Sequence, residues 1–246
     1  MKAIILAAGI GKRLGGVADD KPKCLLEIDG ISLLHRHLQI LENLGVHELL
    51  IVSGYQQADI LTEIKNYSGS LQIKTVFNPD FTSGSVVSLR RAHSTLEAGQ
   101  DIILMDADVL YHPDILKRLV TTEHENCFLL DRDFEAGDEP VKICVRNNQM
   151  IEFRKILDTN LLFDFQGESV GFFKFNADLA HALSDRCLYY IEHGKVEEPY
   201  EEVLRDLLLE DPQNFNYEDI SGLAWIEIDF PEDYKRASED ILNRIS

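Results

Sequence analysis

The sequence is short of long apolar runs, cysteine and positive charge. No stretch approaches the roughly 20 apolar residues that span a bilayer. The N-terminal run Ala3–Ala8 is six residues long and has no basic leader, so neither a membrane anchor nor a signal peptide is expected. The four cysteines, Cys24, Cys127, Cys144 and Cys187, have no metal-ligand or redox spacing. They read as buried thiols of a reducing compartment, and a cytoplasmic protein is expected. Eight histidines form no zinc-type cluster, and His35 and His37 are expected on the surface of one helix. Lys and Arg number 24 against 43 Asp and Glu, a net charge of −19. That balance argues against nucleic acid or an anionic membrane as partner, since both demand a basic face. Any anionic substrate must be met by a few local cations, helped by a divalent metal.

What is present is a regular alternation. In 246 residues, 45% of them hydrophobic, strands are expected over 2–8, 48–53, 71–77 and 102–105. Helices are expected over 31–44, 58–67, 83–97 and 113–123. Leu34, Leu38, Leu41 and Leu44 make one helical stripe, Ser83 or Ser85 is placed to cap, and Pro113 suits a helix start. Beyond residue 126 short strands at 128–130, 141–145 and 150–155, with a turn at Asn147-Asn148, point to a mixed sheet. Further strands at 170–175 and 223–228 and helices over 177–192, 197–209 and 232–244 complete the chain. The fold class is α/β: a Rossmann-like three-layer α/β/α sandwich with a mixed central sheet, in a single domain without a linker. Ligands of such sheets bind beyond the strand carboxyl ends.

The first strand runs into Gly9 and Gly11, followed at once by Lys12 and Arg13. A buried strand feeding a glycine loop, with backbone N–H groups and cations at its tip, holds phosphate. It is not a P-loop, because Arg13 stands where Ser or Thr is needed. Nor is it a dinucleotide fingerprint, because Leu14 replaces the third glycine. Lys21-Pro22-Lys23 follows, where proline keeps the chain extended and can fix a lysine over the loop.

Leu-Ala-Ala-Gly-x-Gly-x-Arg-Leu followed by Lys-Pro-Lys resembles the signature of the nucleotidyltransferases that join a nucleoside triphosphate to a phosphorylated acceptor. Met105-Asp106-Ala107-Asp108 resembles their Asp-x-Asp, and Trp225–Asp229 their C-terminal metal carboxylate. The chain is most similar to the small cytidylyltransferases acting on phosphocholine, phosphonates or inositol phosphate. Residues 138–142 and 153–155 resemble the acceptor-side strands of the last two branches. The resemblance implies a nucleotide-binding half over 1–125 and an acceptor-binding half over 126–246.

It also implies the chemistry. A phosphate or phosphonate oxygen attacks the α-phosphorus of CTP and pyrophosphate leaves. The attacking oxygen is already ionised, so positioning and charge neutralisation carry the rate. The implied nucleotide site comprises Leu6, Ala7, Ala8, Gly9, Gly11, Lys12, Arg13 and Lys23, with Gly54, Tyr55, Asn78, Ser83, Ser85, Ser88 and Asp106. Lys23 and Arg13 are the implied catalytic cations, and Asp106 and Asp229 the implied Mg²⁺ ligands. The acceptor side is expected to use Asp108, Arg132, Lys142, Lys155, Glu168 and Tyr200. With Arg154, the cations Arg132, Lys142 and Lys155 suit an acceptor of extra negative charge. Tyr189, Tyr190, Tyr200 and Trp225 are the aromatics available for a trimethylammonium cage, and helix packing accounts for them equally well. A sugar-1-phosphate nucleotidyltransferase using UTP, dTTP or GTP, and an inactive nucleotide-sensing subunit, are the competing readings. The family often forms dimers.

Overall fold

A computed structural model describes residues 1–17, 21–135, 137 and 139–245; the side chains of Lys12 and Val17 lie outside the described set, as does Asp138. Among the described residues the apolar strand segments assemble into a nine-stranded mixed sheet. Lys2–Ala7 lies between Glu48–Ser53 and Ile102–Asp106, parallel to both, and Gln72–Phe77 extends the parallel half beyond Glu48–Ser53. Strands buried on both faces need continuous apolar runs, which Ala3, Ile4 and Ile5 and Ile102–Met105 supply, all with no exposed surface.

The second half joins through one long strand, Phe165–Phe175. It runs antiparallel to Ile102–Asp106, to Cys127–Asp131 and to Lys142–Arg146, which itself pairs with Gln149–Arg154. Its register shifts between Ser169 and Phe173, where Gly171 adopts φ +78°. A side chain at Gly171 would collide with the Asp106 carboxylate, so glycine here serves both the bulge and the site.

Helices cover both faces. Ser85–Arg91, Ala177–Glu192 and Tyr200–Glu210 pack on one; Leu33–Asn43, Gln57–Asn66 and Pro113–Thr121 pack on the other. A third apolar cluster, with Leu14, Ile28, Ile228 and Ile241, seats the C-terminal helical segment against the loop that follows Gly11. The expected sandwich is the observed fold, and no described helix is long and apolar enough to cross a membrane.

Several local expectations are corrected. Neither Ser83 nor Ser85 caps the helix: Gly84 is the N-cap residue, and Ser85 Oγ accepts from the Tyr200 amide at 2.8 Å. The expected helix over 83–97 is two short helices, Ser85–Arg91 and His93–Leu96. His37 is fully buried rather than superficial, its ring nitrogens 3.3 Å from Tyr111 Oη and from the Ala107 carbonyl. Burial drops its pKa from 6.5 to about 4, so the ring is neutral in the folded protein. The four cysteines are buried free thiols. Among the strands additional to the expected ones are Glu27–Ile28, paired with Ile31–Ser32, and Val109–Tyr111, which pairs with Trp225–Glu227 inside the strand expected over 223–228.

Candidate active site

The parallel strands end at a cleft of about 240 Å³. It is lined by Leu6, Ala7, Ala8 and Gly9, by Ser83, Ser85 and Ser88, and by Asp106, Asp108, Lys23 and Tyr200. These eleven residues were all anticipated, and the sheet brings them together. Lys2–Ala7 and Ile102–Asp106 are paired in register, Leu6 opposite Asp106, so the glycine loop and the Asp-x-Asp segment leave the sheet side by side.

Gly11 turns the loop with φ +68°, and a Cβ there would lie 2.9 Å from Lys23 Cγ. Its missing side chain is the passage through which Lys23 reaches the cleft. Lys23 starts a short turn after Pro22, with Leu25 N–H bonded to the Pro22 carbonyl at 2.9 Å. Its ammonium donates to Asp108 Oδ2 at 2.9 Å and also to Asp229 Oδ1. Burial works against its charge, but Asp108 and Asp229 outweigh that and hold it protonated. Arg13 donates to Asp229 Oδ2 at 2.7 Å and to Glu139 at 3.1 Å, with its guanidinium 5.0 Å from the Phe230 ring centre.

The carboxylates are sorted differently from expectation. Asp106 and Asp229 are the expected metal pair, but among the described residues the group that could hold a cation is Asp108, Glu227 and Asp229, with oxygens within 4.8 Å of one another. The cause is the short antiparallel pair, where Val109 stands opposite Glu227 and the Ile228 amide donates to the Asp108 carbonyl at 2.9 Å. Asp106, two residues earlier, is turned toward Tyr200, whose hydroxyl donates to its Oδ2 at 2.8 Å. Burial, then the charges of Glu201 and Asp108, push the Asp106 carboxyl well up. Glu227 lies at the surface side of the cluster, where crowding by the surrounding protein and the charges of Asp108 and Asp229 raise its carboxyl above the usual range. Asp229 is free of helix capping, because Asp233 Oδ2 accepts the Asp229 and Phe230 amides at 3.1 and 2.8 Å.

Gly54, Tyr55 and Asn78 support the cleft without lining it. Gly54 lies so close to Ala8 and Phe81 that a side chain would collide with both, and the Tyr55 amide donates to the Ala8 carbonyl at 3.1 Å. Asn78 is fully buried; it donates to Ser88 Oγ at 3.0 Å and accepts from the Asp80 amide at 3.0 Å, tying down the serine loop.

Of the expected acceptor cations, Lys142, Arg132 and Arg154 are engaged by other protein groups. Lys142 Nζ donates to the Pro140 and Lys155 carbonyls at 3.2 and 2.6 Å. Arg132 lies 3.8 Å from Asp219 and stacks over Phe165, and Arg154 pairs with Glu202 at 2.8 Å. Lys155, in contrast, lies 3.5 Å from Glu139, on the wall of the second cavity, and its charge acts on Glu168, Glu201 and Glu227. Next to the cleft, and sharing Glu227 with it, is a second cavity of about 350 Å³. Asp131, Asp133, Glu135, Glu139, Glu168, Glu227, Asp229 and Asp233 line it, with Arg236 as the one cation among its described wall residues. Burial and Asp131 raise the Glu168 carboxyl to about 7.

Four further cleft residues are not among the expected ones: Phe81, Cys24, Ala107 and Glu201. Burial pushes the Cys24 thiol far up, so it is no nucleophile at neutral pH. Glu201 Oε2 is buried without a hydrogen-bond partner among the described residues. An acidic residue in the first turn of a helix reads as a dipole partner. The signal that places this one in the cleft is tertiary, the Gly84 amide docking on the Val196 carbonyl at 2.9 Å.

The family model of the MobA-like NTP transferase domain matches residues 3–161. The chain belongs to that family. This MobA-like transferase is therefore an enzyme of nucleotidyl transfer. It is 26% identical to the CTP:phosphoglutamine cytidylyltransferase of Campylobacter jejuni, over 95% of this chain and 97% of that protein. It is 25% identical to the CMP-5'-(3-aminopropyl)phosphonate synthase of Streptomyces rubellomurinus, over 96% of this chain but only 38% of that longer protein. Uridylyl- and guanylyltransferases of sugar phosphates are among its other relatives. In fold it is similar to the inositol-1-phosphate CTP transferase from T. maritima, with TM-score 0.78 and 22% identity, covering 99% of this chain and 95% of that one.

Proposed function

We propose that the transferase moves CMP from CTP to a small phosphorylated alcohol or phosphonate that carries an amine, releasing pyrophosphate. The observation that carries this reading is the convergence, at one sheet edge, of the glycine loop, Lys23 and the Asp108–Glu227–Asp229 cluster. The full-length similarity to a cytidylyltransferase supports cytosine as the base.

The backbone amides of Gly9–Gly11 bind the triphosphate, and Arg13 offers a fork to its outer phosphates. Lys23 neutralises the α-phosphate and guides the attacking oxygen. The carboxylate oxygens of Asp108, Glu227 and Asp229 form a hard donor set that fits Mg²⁺. When bound there, the metal offsets charge on the α-phosphate and the leaving group. The attacking oxygen needs no general base. Accordingly, none of the cleft carboxylates is assigned that role.

The acceptor's amine is supported by the acidic second cavity and by the engagement of Arg132, Lys142 and Arg154 elsewhere. Even with the Glu168 and Glu227 carboxyls pushed up toward neutrality, the cavity wall stays net acidic, which would repel an acceptor with added negative charge and attract an ammonium. Pyrophosphate release should be measured with CTP, UTP, dTTP and GTP against phosphocholine, 2-aminoethylphosphonate, inositol phosphate and glucose 1-phosphate. CTP with an amine-bearing acceptor is expected to lead. Turnover with UTP and a sugar phosphate alone would replace this reading with the sugar-nucleotide one. CTP binding without release for any acceptor would make the protein a nucleotide sensor.

A further inference from the structure

We propose that in the free enzyme the Lys23 ammonium holds the divalent-cation position, and that metal enters as bound nucleotide draws Lys23 away. The cluster's three carboxylates face one point. Lys23 Nζ donates to Asp108 Oδ2 at 2.9 Å and to Asp229 Oδ1, while Arg13 takes Asp229 Oδ2 at 2.7 Å. Both Asp229 oxygens and one of Asp108 are thus committed to cations of the chain itself. The Lys23 side chain is 15% exposed and held beneath Gly11, so its ammonium is delivered to the cluster by the fold rather than by chance contact.

An ammonium and a divalent ion cannot share these oxygens. Their charges repel at close range, and three of the carboxylate oxygens that would face the ion already accept hydrogen bonds from Lys23 and Arg13. A triphosphate on the adjacent loop gives Lys23 and Arg13 a more highly charged partner and releases the carboxylates. Metal and nucleotide binding are then coupled through two cations, and the coupling is reciprocal. Lys23 serves as a stand-in cation when the site is empty of nucleotide and as a phosphate ligand when it is filled. The inference holds whichever base and acceptor the enzyme uses.

The test is a titration of the full-length protein with Mn²⁺ alone, with free Mn²⁺ read by electron paramagnetic resonance. Wild type is expected to bind weakly, and Lys23→Met to bind at least about tenfold more tightly, the removal of one competing charge. Lys23→Arg keeps the charge and should stay near wild type. Lys23→Met with Asp108→Asn should lose the gain, which separates this cluster from other surface carboxylates. Arg13→Met, at a half-exposed side chain, should give a smaller tightening, and it decides the matter if Lys23→Met does not fold. Unchanged or weaker Mn²⁺ binding in folded Lys23→Met overturns the proposal, as does an unchanged Arg13→Met where only that variant folds.

Discussion

The two sides of the cleft are built from different materials. One side uses backbone and small side chains: Ala7, Ala8 and Gly9 at the end of Lys2–Ala7, and the serines that follow Gln72–Phe77 in the same parallel half of the sheet. The opposite side uses charged side chains whose partners are distant in sequence. Lys23 meets residues 85 and 206 positions away, and Arg13 one 216 positions away. A backbone site is rigid and forgiving of neighbours, because its donors belong to the fold. A side-chain site works only if long-range strand pairs hold their register.

The sharpest way to break that comparison is to remove one member of the charged side. Asp229→Asn should cut turnover about a hundredfold to a thousandfold while the protein stays folded. Initial rates in Mg²⁺ and a thermal melt check this, and full activity would remove Asp229 from the machinery. Lys23→Ala should lose turnover to a similar degree, about a hundredfold, with a much smaller loss of CTP affinity. Equal loss of both, in single-turnover rates and calorimetric binding, would make Lys23 a binding group only.

The backbone side gives smaller effects that divide cleanly between two glycines. Around Gly9 there is no atom within 4 Å of an added Cβ, so Gly9→Ala should keep its stability and lose only CTP affinity. Gly11 has φ +68° and lies against Lys23, so Gly11→Ala should lose about 1–2 kcal/mol of stability as well. Urea unfolding paired with CTP titration separates the two.

Behind both sides is His37, fixed to the carbonyl between Asp106 and Asp108. Its folded pKa of about 4 lies below the ordinary 6.5, so between those values the unfolded chain binds a proton that the folded chain does not. Its contribution is therefore complete above pH 6.5 and is lost as pH falls toward 4. From pH 7.5 to 5 wild type should lose about 2 kcal/mol more than His37→Phe in urea unfolding. Equal losses would show that the ring does not titrate on unfolding.

The same division explains what the sequence could reveal. The glycine loop, the serine loop and the sandwich follow from local patterns: an apolar run ending in glycines, and strand and helix alternating. Arg13, Lys23 and Asp229 are drawn to one place as the motifs suggested. Asp106 and Asp108 could not be told apart by spacing, because the choice depends on a three-residue strand pairing with Trp225–Glu227. The cations Lys142, Arg132 and Arg154 read as substrate ligands only until their carbonyl, aromatic and carboxylate partners are seen. His37 falls on a polar-looking stretch, yet Tyr111 and Phe172 enclose it.

The account's central claim is that Asp108, with Glu227 and Asp229, forms the metal end of the cleft, while Asp106 belongs to Tyr200. Mn²⁺ affinity measured in the presence of saturating CTP for Asp108→Asn and Asp106→Asn tests it most directly. The account predicts that Asp108→Asn weakens Mn²⁺ binding at least about tenfold and that Asp106→Asn leaves it near wild type. Loss in Asp106→Asn with retention in Asp108→Asn would contradict it.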